Sequence, residues 1–221
     1  MNAIIGMTSL IRHDAGNKAK VIEYADKIDI SSQHLLGIIN DVLDMSKIES
    51  SKYEINAKPF NISSVLDEVY SVFGATMSTK GIRLTINSDA VTSPDVIGDE
   101  ISLRKILNNL LSNANKFTRS GGRVTIFASQ KQMNEKSSIL HLEVADTGVG
   151  ISEEFIGHLF EPYTQEMSES GGRAAGSGLG MAICKSMIDL QGGSISVRSR
   201  LGEGTTFYVD IPYSLGKAAV K

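Results

Sequence analysis

The sequence predicts an α+β chain: an antiparallel helical hairpin, paired into a dimeric four-helix bundle, then a two-layer α/β sandwich with a mixed sheet and helices on one face. Three observations carry this reading. A heptad-like apolar seam runs through residues 19–50. Before residue 56 glycine occurs only at Gly6, Gly16 and Gly37, while most of the 21 glycines follow Gly74. Beyond Pro59, helical and alternating apolar patterns succeed one another, with hairpin-like spacing late in the chain. The predicted boundaries are 1–56 for the hairpin, 60–214 for the sandwich and 215–221 for a polar tail or linker. With 221 residues, 41% of them hydrophobic, a substantial core is within reach and disorder is excluded.

The seam consists of Val21, Ala25, Ile28, Ser32, Leu35, Ile39 and Val42, spaced alternately four and three apart. Ile22, Leu36 and Leu43 flank it on one side, and Tyr24, Ile38 and Met45 on the other. That stripe is wider than a two-stranded coil needs, and it suits a four-helix bundle. Residues 1–13 form a shorter helix with Ile4, Met7 and Ile11 on one side, joined to the long one through 14–18. A lone hairpin cannot bury a four-sided stripe, so two copies are expected to pair as a homodimer.

After Pro59 the elements follow in order. Ile62, Val65, Leu66, Val69 and Phe73 mark an amphipathic helix stopped at Gly81, and Ile82, Leu84 and Ile86 alternate as a strand. A second helix opens at Asp99 and carries Leu103, Ile106, Leu107, Leu110, Leu111, Ala114 and Phe117 on one face. Strands are expected at 123–129 and 139–145, helices at 153–160 and 179–190, and strands at 194–198 and 205–211.

Charge and cysteine usage exclude several functions. Twenty-two Lys and Arg against 25 Asp and Glu give a net charge of −3, which exerts no general pull on nucleic acid or anionic lipid. Uncharged stretches such as 69–79 are about eleven residues long, short of the ~20 needed to span a bilayer. Cys184 is the lone cysteine, so neither an internal disulfide nor a cysteine-rich metal cage can form. No export signal opens the chain. The expectation is a cytoplasmic setting, with neither nucleic acid nor membrane contacted by these residues.

Three segments carry chemistry. In Asn109-Leu-Leu-Ser-Asn113-Ala-Asn-Lys116-Phe117, helical spacing puts Asn109, Asn113 and Lys116 along one edge beside the apolar stripe. A carboxamide oxygen suits Mg²⁺, which keeps waters and substrate phosphates, and lysine is a phosphate cation. An ordinary solvated face fits that edge equally well. In Asp146-Thr-Gly148-Val-Gly150-Ile, a carboxylate at a strand end precedes glycines that let backbone approach a ligand; a plain turn is the alternative. In Gly176-Ser-Gly178-Leu179-Gly180-Met, glycines open a helix whose free N–H groups can meet phosphate. It is neither a Walker loop nor a dinucleotide fingerprint.

These segments, together with Leu159-Phe160-Glu-Pro-Tyr163-Thr-Gln165, come in fixed order over about seventy residues. The set resembles the N, G1, F and G2 boxes of the catalytic half of bacterial sensor histidine kinases, in the ATPase group that also holds gyrase-type topoisomerases and mismatch-repair proteins. The phrase Met1-Asn-Ala-Ile-Ile-Gly-Met-Thr is similar to the end of that family's H box. The resemblance covers nearly the whole chain. It implies that Asn113 coordinates Mg²⁺ with Asn109 beside it, and that Lys116 touches the phosphates. It implies that Asp146 holds the adenine amino group in a pocket shaped by Gly148 and Gly150. Gly176, Gly178, Leu179 and Gly180 would cradle the triphosphate of ATP. Phe160 and Tyr163 would flank the nucleotide, residues 163–175 would form a lid, and Arg173 would reach a phosphate. The implied activity is that of a protein-histidine kinase, with onward transfer to the receiver domain of a response regulator.

Departures from the family's pattern limit what carries over. The family's acceptor histidine and its neighbouring acid lie just before the Thr-Pro-Met-Asn phrase, and this sequence starts at that Met. A chain of this sequence is therefore expected to bind Mg·ATP without autophosphorylating at the family position, as the piece of a longer parent, whether or not that parent is membrane-anchored. His13, His34, His141 and His158 are read as structural or surface residues. Tyr163 stands where Phe is usual, Met167 where an acid is frequent and Met181 where Leu is frequent. Two other functions fit the residues: an ATP-dependent dimerising clamp, and a non-enzymatic module that docks a regulator.

Overall fold

The computed structural model describes residues 2–166 and 177–216, apart from the side chain of His34. They fall into two compact units divided between Tyr53 and Glu54.

The first unit is a hairpin of α1 (Asn2–His13) and α2 (Lys18–Glu49). Asn17 caps α2, its side chain accepting the Lys20 N–H. Asp14 in the connection gathers His13 (3.0 Å), Lys20 (3.2 Å) and the Tyr24 hydroxyl (3.1 Å). Ile4, Met7 and Ile11 of α1 are half-buried, as are Val21, Tyr24, Ile28, Leu35 and Ile38 of α2. Leu36, Ile39, Val42 and Leu43 stay exposed, so within one chain part of the apolar stripe lies open.

The second unit is a sandwich. Its elements are β1 (Lys58–Asn61), α3 (Ile62–Thr79), β2 (Arg83–Ala90), β3 (Asp95–Gly98), α4 (Glu100–Phe117), β4 (Arg123–Asn134), β5 (Ser137–Asp146), α5 (Glu153–Ile156), α6 (Gly180–Leu190), β6 (Ser194–Arg200) and β7 (Gly204–Leu215). The seven-stranded sheet runs β1-β3-β7-β5-β4-β2, with β6 also on β7. Only β2 and β4 pair in parallel, so the sheet is mixed. Register sets the two faces. Leu140, Leu142 and Val144 of β5 pair with Ile211, Val209 and Phe207 of β7 on the face covered by helices. His141, Glu143, Tyr208 and Asp210 stand on the opposite, helix-free face.

The helix that matters most is α4. Asp99 caps it, accepting the Ser102 N–H at 3.0 Å, and Thr118 closes it by donating its N–H to Ala114 O. Leu103, Ile106, Leu107, Leu110, Leu111 and Ala114 recur at helical spacing and are all but inaccessible. Burying each of the five Leu and Ile side chains contributes about 1.5–3 kcal/mol relative to exposure. The helix packs against α3, α6 and β5, which fixes its polar edge in space.

Several sequence expectations need correcting. The edge pair β1 and β3 has no counterpart among the predicted strands; each is four residues long and β1 contains Pro59, tolerated at an edge. The helix expected at 153–160 is only α5, and turns follow it. Leu215, assigned to a polar tail, is a strand residue in register with Val96, because β3 extends the edge beyond β6. Gly98 belongs to the same corner: a Cβ there would overlap the Tyr213 ring, which stands edge-on to Phe60 at 5.5 Å.

On the open face His141 Nδ1 lies 2.7 Å from Asp210 and Nε2 3.3 Å from Glu143. Burial opposes its protonation, but the two carboxylates outweigh burial and raise its pKa above 6.5. The stability this confers is complete below the unfolded value and is lost as pH rises through the folded one. Chemical denaturation across pH 5–9 should show that decline, and His141→Gln should remove it.

Candidate nucleotide-binding site

Three of the motif segments converge on α4. Toward its middle, Asn109 Nδ2 donates to Gly180 O at 3.3 Å, and Asn113 Nδ2 donates to Met181 Sδ at 3.2 Å. Both asparagines are half-buried against the first turn of α6. At its C-terminal end, Phe117 O accepts the Val149 N–H at 3.3 Å, and a Cβ on Gly148 would lie 2.8 Å from that same oxygen. The amide edge, the acid-glycine corner and the glycine-led helix therefore border one region.

Each neighbour is positioned by local chemistry. Asp146 ends β5, and its Oδ1 accepts the Gly148 N–H at 2.7 Å, folding the loop back on the carboxylate. The loop is then pinned to the β6–β7 turn: Gly202 N–H donates to Val149 O at 2.8 Å, and Ile151 N–H to Ser199 Oγ at 2.8 Å. Gly150 has φ +73°, and a Cβ there would overlap the Arg200 carbonyl. Gly150→Ala is expected to lose about 1–2 kcal/mol from the left-handed conformation alone, and more from the overlap. Calorimetric melting should show the loss.

At the start of α6 the Leu179 N–H donates to Ser177 Oγ at 3.2 Å. Leu179, its N-cap, offers no side-chain cap, so the N–H groups of the first turn have no intrahelical acceptor. Gly178 has φ +71° and lies against Tyr163 and Thr164, and the Tyr163 N–H donates to Gly178 O at 3.0 Å. Tyr163 itself has φ +64° and is 66% exposed, a strained conformation for an aromatic residue held by that bond.

Residues 98–215 match the family described as histidine kinase-, DNA gyrase B- and HSP90-like ATPase, and residues 1–51 match the His Kinase A (phospho-acceptor) domain. The chain belongs to the histidine kinase-, DNA gyrase B- and HSP90-like ATPase family. Among relatives, autoinducer 2 sensor kinase/phosphatase LuxQ of Vibrio vulnificus (strain CMCP6) is 36% identical over 217 residues, covering 98% of this chain and 25% of LuxQ. Signal transduction histidine-protein kinase BarA of Escherichia coli (strain K12) is 34% identical, covering 97% of this chain and 23% of BarA. The chain thus spans about a quarter of the length of these relatives. Full-length ShkA, solved with AMPPNP, is similar at TM-score 0.75 and 28% identity, covering 98% of this chain and 44% of ShkA. The catalytic domain of histidine kinase ThkA matches at 0.58 and 26%, covering 71% of this chain and 95% of that domain. The likeness to sensor histidine kinases read from the sequence is therefore sound, as is the α+β fold.

Electrostatics distinguish two groups of the candidate site. Burial holds the Asp146 carboxyl above the usual carboxylate range, although backbone N–H groups of Gly148 and Thr205 pull the other way. Lys116 remains at the surface, its Nζ 4.7 Å from the Phe117 ring centroid, and desolvation lowers its pKa. Phe160 is half-buried and Leu179 buried. Arg173, Gly176 and most of the predicted lid lie outside the described residues. Residue type alone missed three contributors: the Phe117 carbonyl, the Met181 sulfur and Gly204, whose Cβ would overlap the Asp146 carbonyl. Of the three, only Met181 is marked in the sequence, as a residue standing where the family frequently has Leu.

Among the described residues no helix is long and apolar enough to cross a membrane, and no three His, Cys, Asp or Glu gather as a metal cage.

Proposed function

We propose that residues 60–214 bind Mg·ATP and serve phosphoryl transfer to a histidine on a helical hairpin, with onward transfer to an aspartate of a response-regulator receiver domain. The observation that carries this reading is the convergence of Asn109, Asn113 and the Asp146 loop on α4 beside the uncapped start of α6. In this reading Asp146 accepts from the adenine amino group. An ionised carboxylate has about four acceptor sites, so its two backbone partners leave capacity. Gly148 and Gly150 keep side chains out of the adenine's path, and Phe160 and Tyr163 flank the nucleotide. The N–H groups of the first turn of α6, from Gly180 onward, meet the phosphates in a loop shaped by Gly178 and Leu179, together with Lys116 and, from outside the described residues, Arg173 and Gly176.

The donor chemistry at Asn113 fits magnesium: with its NH₂ turned to Met181 Sδ, the carboxamide oxygen is left for a hard cation that also takes waters and phosphate oxygens. Such a cation supplies charge neutralisation for the transferring phosphoryl group. The chain's own part is positioning, which is most of what phosphoryl transfer asks of a protein. Support for a kinase rather than a clamp comes from the His Kinase A match beside the ATPase unit and from the sensor kinases among the relatives. A cytoplasmic setting suits an ATP-dependent reaction and a lone, buried Cys184.

The 1–56 hairpin is proposed as the dimerisation and phosphotransfer module. Its open stripe, with Ile39 and Val42 46% and 45% exposed, is the surface a second hairpin would cover. Light scattering should find a dimer, and Ile39→Lys with Val42→Lys should yield a folded monomer. The catalytic proposal is tested with γ-labelled ATP, Mg²⁺ and a separate hairpin carrying a histidine in a Ser-His-Glu setting. Acid-labile, base-stable label on that hairpin is the expected result. Nucleotide binding without any label would favour the clamp, and no nucleotide binding at all would favour the docking module.

A further inference from the structure

A second polar site lies at one end of the sheet, beside the last turn of α3. The turns leading into β2 and β4 meet there, joined by the Gly121 N–H donating to Gly81 O at 2.8 Å. They bring together Lys80, Arg83, Arg119 and Arg123, and neither 80–88 nor 117–130 contains an Asp or Glu, in a chain whose net charge is −3. The Lys80 ammonium is taken up by the carbonyls of Asn115 and Lys116. Arg83 and Arg123 are direct register partners on the parallel strands β2 and β4. Their neighbours Leu84 and Val124 are buried, so both guanidiniums leave by the opposite face, where both residues are exposed and no ion pair holds either among the described residues. Like charges directly opposite one another weaken a sheet. Among the described residues no carboxylate pairs with either arginine.

The two arginines line an open cleft of about 530 Å³, together with Ser78, Gly121, Gly122 and Thr147, a volume within the range of small-molecule sites. Gly122 admits no side chain, because a Cβ would overlap the Thr118 methyl and lie 2.9 Å from Arg119 O. The backbone N–H groups of Gly81, Arg83, Gly121, Gly122 and Thr147 are already bonded to carbonyls. Recognition is therefore left to side chains, the Ser78 and Thr147 hydroxyls and above all the two guanidinium forks, whose planar donors match oxyanions bidentately. We infer that this cleft binds a small phosphate dianion between Arg83 and Arg123. Two adjacent cations call for two negative charges, and the cleft's size favours a small molecule over an acidic protein segment. Asp146 continues the helix-facing row of Leu142 and Val144, whereas Arg83 and Arg123 leave by the other face, so the cleft borders the loop of the proposed nucleotide site only through Thr147.

Two sources share this chemistry, free inorganic phosphate and a small phosphate monoester, and a titration followed by backbone amide NMR separates them. The full chain is kept in chloride buffer with saturating Mg²⁺ and AMPPNP, and is titrated in turn with inorganic phosphate, glycerol 2-phosphate and a glutamate-rich peptide. Saturable shifts at Gly81, Gly121, Gly122 and Thr147 are expected, with the α6 amides unmoved. Saturation by both small probes assigns free phosphate; saturation by the ester alone assigns a monoester. Arg83→Gln with Arg123→Gln should bind at least about tenfold more weakly. In phosphate-free buffer that variant should melt no lower than the parent. Overturning results are no saturation with either small probe, unchanged affinity in the double variant, or a response to the peptide alone. Failure of AMPPNP to bind would appear at the α6 amides and would count against the proposed function, not against the cleft.

Discussion

Asp146→Asn is expected to weaken Mg·ATP binding at least about tenfold while leaving the chain folded and, at neutral pH, no less stable. A hydrogen bond to a charged acceptor contributes about 1.5–3 kcal/mol, and about 1.4 kcal/mol is a factor of ten. In the variant the remaining carboxamide oxygen keeps the Gly148 N–H, which approaches at 2.7 Å in the parent. The new NH₂ then faces the adenine amino group, donor against donor. Stability moves differently. Burial raises the folded pKa of Asp146 above its ordinary 3.8, so the folded chain favours the protonated form. That contribution is complete below the unfolded value and is lost as pH rises through the folded one, leaving an ionised, partly buried carboxylate at neutral pH. A neutral amide removes that burden. Calorimetric titration with AMPPNP and a thermal melt at pH 7 read the two effects separately. Parent affinity should also decline, on acidification, at a higher pH than an ordinary aspartate would give.

Asn113→Ala should reduce phosphoryl transfer by about 10²–10³-fold, the scale seen when one preorganised polar group is removed from a reacting centre. Nucleotide affinity should fall less, because the adenine contacts at Asp146 are untouched. The residue is half-buried and the Leu/Ile stripe of α4 is unaltered, so the melt should barely move. Single-turnover labelling of a histidine-bearing hairpin, set beside AMPPNP titration, reads the split. Equal losses in binding and transfer would assign Asn113 to general nucleotide contact instead.

The difference between what sequence made legible and what it hid follows from how each feature is encoded. The α4 stripe was readable because six apolar side chains repeat at helical period and are all but inaccessible, so burial and spacing carry the same message. The strands β1 and β3 were not, because four residues each, one of them proline, leave no alternation to detect. Leu215 was lost to the tail because its partner Val96 lies on one of those missed strands. Within the site, residue types mark Asn109, Asn113 and Asp146. The contacts that bring them together run instead through main-chain groups, Gly180 O and Phe117 O, which every residue possesses. The left-handed Tyr163 has no sequence signature either, since the conformation is imposed by its bond to Gly178. Arg83 and Arg123 were invisible as a pair until β2 and β4 were seen to run in parallel register.

The most direct measurement is a crystal structure of this chain grown with Mg²⁺ and AMPPNP. The expected result has the adenine amino group on the Asp146 carboxylate, the cation on the Asn113 oxygen and the phosphates at the first turn of α6. A nucleotide bound elsewhere, or one in this region that touches neither Asn113 nor Asp146, would contradict it.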